Sequence, residues 1–460
     1  MDPMKARAAV PVHLPVSNPT TSYWQDPPDE IADYESSSSF PEKIDTLIIG
    51  CGITGVSVAY GLLTSNKLGG DTGKIVMLEA RQACSGATGR NGGHTKSASY
   101  RSFESNTTTH GLPTAIAIAT LEYETITSLH AFAQANDIAC DLFTGDTVDI
   151  IYSRADWETA QSAVQAIRDA MPDKLDTVAR YHFWTAEEVR EKFNVRGKEC
   201  VGAVSYQAGS LSAYRFVIGL LKLCLEFGLQ LYTNTPAIKL SRSSDQSWEV
   251  TTPNGVISAK RVVLATNGYT AAIWPHFQEK IVPLRGQIEA QIPPSSLSEL
   301  ECTYSFIYPD GYEYMIPKPA NSQFPSYPGD VIIGGGLAML AAEGAEEFGI
   351  SDDSTLNPQL TDYLGKCTER YFGVGDEWKV RQEWTGIMGF TGDGIPFIGE
   401  VPGEEDLWIA AAFQGHGMVL CWGCAKALVE MMDGEELGNF PDVFRISEER
   451  MGVEFGGRHS

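Results

Sequence analysis

Two rhythms of apolar and polar positions divide this chain. Thr46-Leu47-Ile48-Ile49 is a short apolar run that ends in glycine, which predicts a fully buried parallel strand. Small and apolar residues then recur at helical spacing over 53–63, and 74–79 predicts a second buried strand, closing a βαβ unit. Helical periodicity also covers 114–136, 157–171, 214–228 and 419–432. Further strands are predicted at 147–152, 261–266 and 407–412. Segments 229–240, 248–252 and 256–259 read as a small antiparallel set turning at Asn254-Gly255. From 281 to 389 alternating runs such as Tyr312-Glu313-Tyr314-Met315-Ile316 predict a second, mostly antiparallel sheet. Residues 1–43 follow neither rhythm and are rich in Pro, Ser and Asp. They read as an extended arm or disordered leader that Tyr23 and Trp24 could pin to the body.

The order of elements implies an α/β fold: one nucleotide-binding domain made of separated segments, with a sheet domain inserted between them. With 34 Lys and Arg against 59 Asp and Glu, the 460-residue chain carries a net charge of -25. A field of that sign repels phosphate backbones and anionic membranes, so neither nucleic acid nor a membrane is expected as a partner. Nine scattered cysteines show no disulfide or metal framework, which suits a reducing, cytoplasmic setting; no metal site is expected. Cys421 and Cys424 form a C-x-x-C outside any thioredoxin-like context and read as small packed side chains.

Gly50-Cys51-Gly52-Ile53-Thr54-Gly55 is a G-x-G-x-x-G between a buried strand and a helix. The first glycine permits the turn, the second lets a pyrophosphate approach, and the third lets helix and strand pack. Ile53 and Thr54 open the helix, whose N–H groups and dipole favour phosphate. Glu79, at the end of the next strand, is placed for a ribose 2′-OH, which disfavours a 2′-phosphate; Ala80 follows it. Arg81 either contacts adenine or phosphate or is solvated. The run Gly86-Ala87-Thr88-Gly89-Arg90-Asn91-Gly92-Gly93-His94 makes poor core, and its small residues let backbone pass against a flat or charged ligand.

These motifs, with the later Val263-Leu264-Ala265-Thr266-Asn267-Gly268, Pro283-Leu284-Arg285-Gly286-Gln287 and Phe413-Gln414-Gly415-His416-Gly417-Met418, resemble the FAD-dependent D-amino-acid oxidase and sarcosine oxidase (DAO) superfamily. The loop 86–93 is most similar to the γ-glutamylputrescine oxidase branch and its fungal relatives. The resemblance implies FAD bound between a Rossmann-like domain (44–135, 200–275 and 390–440) and a substrate domain (136–199 and 276–389), with an arm at 1–43 and a tail at 441–460. It implies oxidation of a C–N bond in a small amine or amino-acid-like substrate by hydride transfer to flavin N5, with O2 receiving the electrons as H2O2. The alternative is a dehydrogenase or natural-product tailoring oxidoreductase acting on a larger substrate without O2. By position, Gly50, Gly52, Gly55 and Glu79 would hold the ADP half. Gly86, Ala87, Arg90, Asn91 and Gly92 would line pyrophosphate and flavin, and Gly415 to Met418 would pass the ring edge; Thr266, Asn267 and Gly268 belong to the same set.

Departures from the family pattern shape the remaining expectations. Gly386 stands where sarcosine oxidases attach FAD through cysteine, so the FAD is expected to be non-covalent. The strand 331–336 lacks the lysine that promotes reaction with O2, and Val419 replaces a lysine that clamps the substrate carboxylate. Lys96 is a candidate cationic group for substrate or O2, or else a solvated lysine. His416 is a candidate catalytic residue at the flavin edge, and His94 flanks the other loop. Tyr308, Tyr312 and Tyr314 either wall an aromatic pocket or pack in the core, and Trp384 is expected to stack over substrate.

Overall fold

The computed structural model describes residues 3–65, 74–196, 199–297, 299–309, 311–319, 322, 327–373 and 377–457. The strand Lys43–Ile49 lies at the centre of a parallel sheet, flanked by Ile75–Leu78 and Gly255–Leu264. Leu407–Ala411 pairs beyond Gly255–Leu264 and Gln230–Tyr232 beyond Ile75–Leu78, both parallel. The apolar run 47–49 is buried on both faces, as a covered parallel strand requires. Helices Ile53–Thr64, Ala213–Glu226 and Gly417–Met432 close one face through a shared apolar cluster.

The second sheet runs, in spatial order, Lys379–Phe390, Val282–Ile292, Val331–Gly335, Gly311–Pro317, Thr303–Tyr308, Phe143–Ile151, Gly202–Ser210 and His94–Thr95. Its pairings are antiparallel except that between Thr303–Tyr308 and Phe143–Ile151. The fold class is therefore the one expected, with local corrections. His94–Thr95 and Gly202–Ser210 join this second sheet, although the boundaries drawn from sequence gave both to the nucleotide unit. Gln230–Tyr232 extends the parallel sheet instead of entering the small antiparallel set. The segments 256–259 and 261–266 are one strand, Gly255–Leu264, entered by the expected tight turn. A polar helix, Ser99–His110, gave no apolar period to read.

The arm is neither disordered nor merely pinned at one point. Pro3–Ala8 is helical, and Tyr23 and Trp24 are buried. Thr20 and Ser22 bond the glycine-rich loop described below.

Within the second sheet, Glu289 and Glu383 face each other across Val282–Ile292 and Lys379–Phe390. Glu289 is fully buried; one carboxyl oxygen accepts from Gln291, and the acid faces the Glu383 carboxyl, to which it can donate only while protonated. Burial, with Glu383 adding to it, raises its pKa from the ordinary 4.5 to about 8. Because the folded value is the higher one, the unpenalised stability is present below about pH 4.5 and is lost as pH rises towards 8. Glu289→Gln should therefore unfold like the parent at acid pH and gain on the order of 2 kcal/mol over it above pH 8. Urea midpoints across that range provide the check, and parallel pH profiles for the two proteins would contradict it.

Candidate active site

A cavity of about 1420 Å³ opens between the two sheets. It is larger than the roughly 300–1,000 Å³ of ordinary small-ligand pockets, with room for a dinucleotide and a substrate together. Every anticipated site residue lines it except Gly55, Gly268 and Trp384.

At one end, Gly52 begins the helix Ile53–Thr64 and has no side chain of its own to cap it, so the first-turn N–H groups other than that of Ile53 are left for the cavity. Thr88 Oγ1 takes the Ile53 N–H at 3.0 Å, tying the glycine-rich loop to that turn. Glu79 is oriented by the backbone N–H groups of Cys51 and Arg81, at 3.0 and 3.1 Å. Gly55 has a packing role, since a Cβ there would lie 2.0 Å from the Gly50 carbonyl oxygen. Gly268 is likewise pressed against the Met388 carbonyl.

Arg81 is not solvated. Its guanidinium holds Asp353 through two bonds of 2.9 and 3.1 Å and also donates to the Ser85 and Val16 carbonyls, so its polar reach is spent on the protein. Arg90 donates to the carbonyls of Ser85, Thr385 and Thr20, and its Nε lies 3.4 Å from Asp353. Burial lowers its pKa to about 10, with Asp353 opposing. The two arginines and one aspartate thus brace the loop from behind. Gly93, at φ +77°, leaves the loop where a Cβ would meet the Leu211 carbonyl at 2.0 Å.

Trp384 sits behind this loop rather than over a substrate. It is fully buried, donates to the Arg90 carbonyl at 2.8 Å and stacks on Tyr23. Trp24 donates to the Asn91 carbonyl at 2.6 Å. Trp24→Phe keeps the ring but orphans that carbonyl, and should cost about 1 kcal/mol of loop order. The expected result is a several-fold weaker FAD titration with an unchanged circular dichroism spectrum; an unchanged titration would count against the arm as a brace.

At the far end the wall is polar. Lys96 is a buried cation, 2.5 Å from both Asp149 Oδ1 and Ser305 Oγ. Tyr100 and Tyr206 also donate to Asp149. Burial lowers the Lys96 pKa, and Asp149 opposes that shift. His94 shares a 2.7 Å bond with Thr303 Oγ1, and burial, reinforced by Lys96, holds it neutral. His416 has Nδ1 3.0 Å from the Gln414 carbonyl; a carbonyl only accepts, so that nitrogen carries a proton. Tyr308 and Tyr314 line the wall; Tyr308 donates to Tyr371, which donates to Glu313. Cys421 and Cys424 are buried on Gly417–Met432, their thiols pushed up by burial.

Sequence reasoning missed Arg101, Glu122, Asp149 and Asp353. Glu122 had a legible signal, as an acid on the apolar stripe of Leu112–Ala135 with Ala115, Ala119, Ile126 and Leu129. Asp353 had none, being 272 residues from Arg81.

The chain resembles known proteins along most of its length. The family described as FAD dependent oxidoreductase (DAO) matches residues 45–431. A probable oxidoreductase OrdL of Haemophilus influenzae is 20% identical over 410 residues, covering 86% of this chain and 84% of its own. The gamma-glutamylputrescine oxidoreductase of Escherichia coli K12 is 22% identical, covering 90% and 89%. Glycine oxidase from Geobacillus kaustophilus superposes with a TM-score of 0.71 at 16% identity, over 88% of this chain and 99% of that one. The helix start at Gly52, the oriented Glu79 and the size of the cavity suit FAD, and with the match over 45–431 they lead to one conclusion: this chain belongs to the DAO family of FAD-dependent oxidoreductases.

Proposed function

We propose that the protein oxidises a C–N bond of a small amine or amino-acid-like substrate. The observation that carries this reading is one continuous cavity, with a phosphate-ready helix start at one end and a polar wall at the other. FAD, when bound, supplies the acceptor for the hydride. Gly52, Ile53, Thr54 and Glu79 hold its ADP half, and the loop 86–93, with Gly415 to Met418, lines the rest. The cofactor is held non-covalently, since Gly386 faces Arg90 where a tethering cysteine would stand. The parallel sheet serves the cofactor and the second sheet the substrate.

Lys96, kept in place by Asp149, is a fixed positive charge in the wall. It offsets negative charge developing on O2, our proposed electron acceptor. His416 orients the reacting amine. The described cysteines are unpaired thiols, which fits action in the cytoplasm. Among the described residues no helix is long and apolar enough to cross a membrane.

The test is anaerobic addition of amine and amino-acid pools to the yellow holoprotein, followed by air and an H2O2 assay. Bleaching by one pool and peroxide on re-aeration is the expected result. Bleaching without peroxide would replace O2 with another acceptor, and a flavin that no pool bleaches would overturn the reading. His416→Ala should retain flavin yet reduce it more slowly in stopped-flow traces; an unchanged rate would make His416 structural.

A further inference from the structure

Glu122 is an unexplained feature of the cavity wall. It is 4% exposed, on a helical stripe of apolar residues, and lines the cavity. The backbone of Ala98 offers it a hydrogen bond, while Oε2 has no partner. A buried carboxyl without a cation is costly, and proteins keep such groups paired. Among the described residues no cation supplies the pairing. Helix Leu112–Ala135 packs on Ser99–His110 and Gly417–Met432. From the first side, Lys96 and Tyr100 are bonded to Asp149, the Arg101 guanidinium lies 4.7 Å from the centre of the Tyr312 ring, and Glu104 and His110 line the cavity further along the helix. From the second side come Val419, Leu420, Cys421 and Cys424, with Lys426 directed to Glu430. On its own helix, His130 is bonded to Thr95 and Thr144.

We propose that Glu122 is the counter-ion for a basic nitrogen of the substrate, so that the cavity selects an amine over a carboxylate at this wall. The inference rests on the amine-oxidation reading and names the group that recognises a basic nitrogen of that substrate other than the reacting one, since an ammonium has no lone pair to drive hydride transfer. Burial raises the Glu122 pKa to about 8, so the carboxyl is protonated in the empty cavity at neutral pH. A free amine entering there takes that proton, giving a carboxylate and an ammonium side by side. The O–H bond of the acid breaks, an N–H bond forms, and net charge is conserved. A substrate that arrives as ammonium makes the same pair by releasing one proton to solvent. A carboxylate placed at the same wall would meet a carboxyl that can donate only while it stays protonated.

The experiment is calorimetry of the FAD-loaded protein with hexylamine, hexanoate and 1-hexanol, each at pH 7 in two buffers of different protonation enthalpy. Hexylamine should bind with release of one proton, and more tightly than hexanoate. Glu122→Gln should weaken hexylamine roughly thirtyfold or more, abolish the proton release and leave hexanol unchanged. Glu122→Asp should restore proton release, which a purely structural role would not do. Equal hexylamine affinity in the parent and Glu122→Gln, no hexylamine binding at all, or a preference for hexanoate would overturn the proposal. Turnover plays no part in this readout. Amine binding through Glu122 with a flavin that no amine bleaches would sink the oxidation reading alone, whereas bleaching indifferent to Glu122→Gln would sink this one alone.

Discussion

Gly52→Val should yield a folded, colourless protein. Gly52 has φ -79° and ψ 179°, ordinary extended backbone that valine adopts without strain, so the parallel sheet and its helices should form as before. The added Cβ would lie 3.1 Å from Thr88 Oγ1, a contact relieved by a small shift, but the valine methyls would fill the space beside the start of the helix. A pyrophosphate could no longer reach those N–H groups, and FAD affinity should fall by roughly a hundredfold or more. Incubation with FAD, desalting and a visible spectrum would show the loss, with circular dichroism confirming the fold. Full yellow colour would refute the assignment of this turn to the cofactor.

The second large effect should come from Asp353, which does not itself line the cavity. Its carboxylate is fully buried between Arg81 and Arg90. Asp353→Ala would leave two buried guanidinium groups uncompensated, and breaking a buried pair this way typically costs about 3–5 kcal/mol. We expect a lowered urea midpoint, together with weaker FAD retention as the loop between the arginines loosens. The double variant Arg81→Met, Asp353→Ala should destabilise by less than the sum of the two single changes, because it removes one of the stranded charges. Strict additivity would show that the pair is not coupled.

What could be read in advance was what local spacing encodes. The βαβ unit, its glycine fingerprint and Glu79 lie within about thirty residues, a span in which turn, helix start and strand end constrain one another. The apolar helices were equally plain because their periodicity records a buried face. Trp384 was misjudged because a strand residue has two faces, and the choice between substrate and core was made by Tyr23, hundreds of residues earlier. Lys96 looked as much like a surface lysine as a site residue until Asp149 and Ser305 were brought to it from two other strands. The arm has no periodicity because it borrows partners along its whole course: Thr20 from Arg90, Trp24 from Asn91, Arg7 from the Phe348 carbonyl.

The brace behind the glycine-rich loop has a consequence for biosynthesis. Its parts come from Thr20, Arg81, Arg90, Asp353 and Thr385, and the parallel sheet itself awaits Leu407–Ala411. A ribosome therefore releases the fingerprint and the two arginines early but Asp353, Thr385 and Leu407–Ala411 late, and contacts of such long sequence separation form slowly. Nascent chains should carry the G-x-G-x-x-G without the means to grip a dinucleotide, so cofactor capture belongs to the finished polypeptide. Cells short of FAD would then accumulate complete, waiting apoprotein rather than stalled fragments.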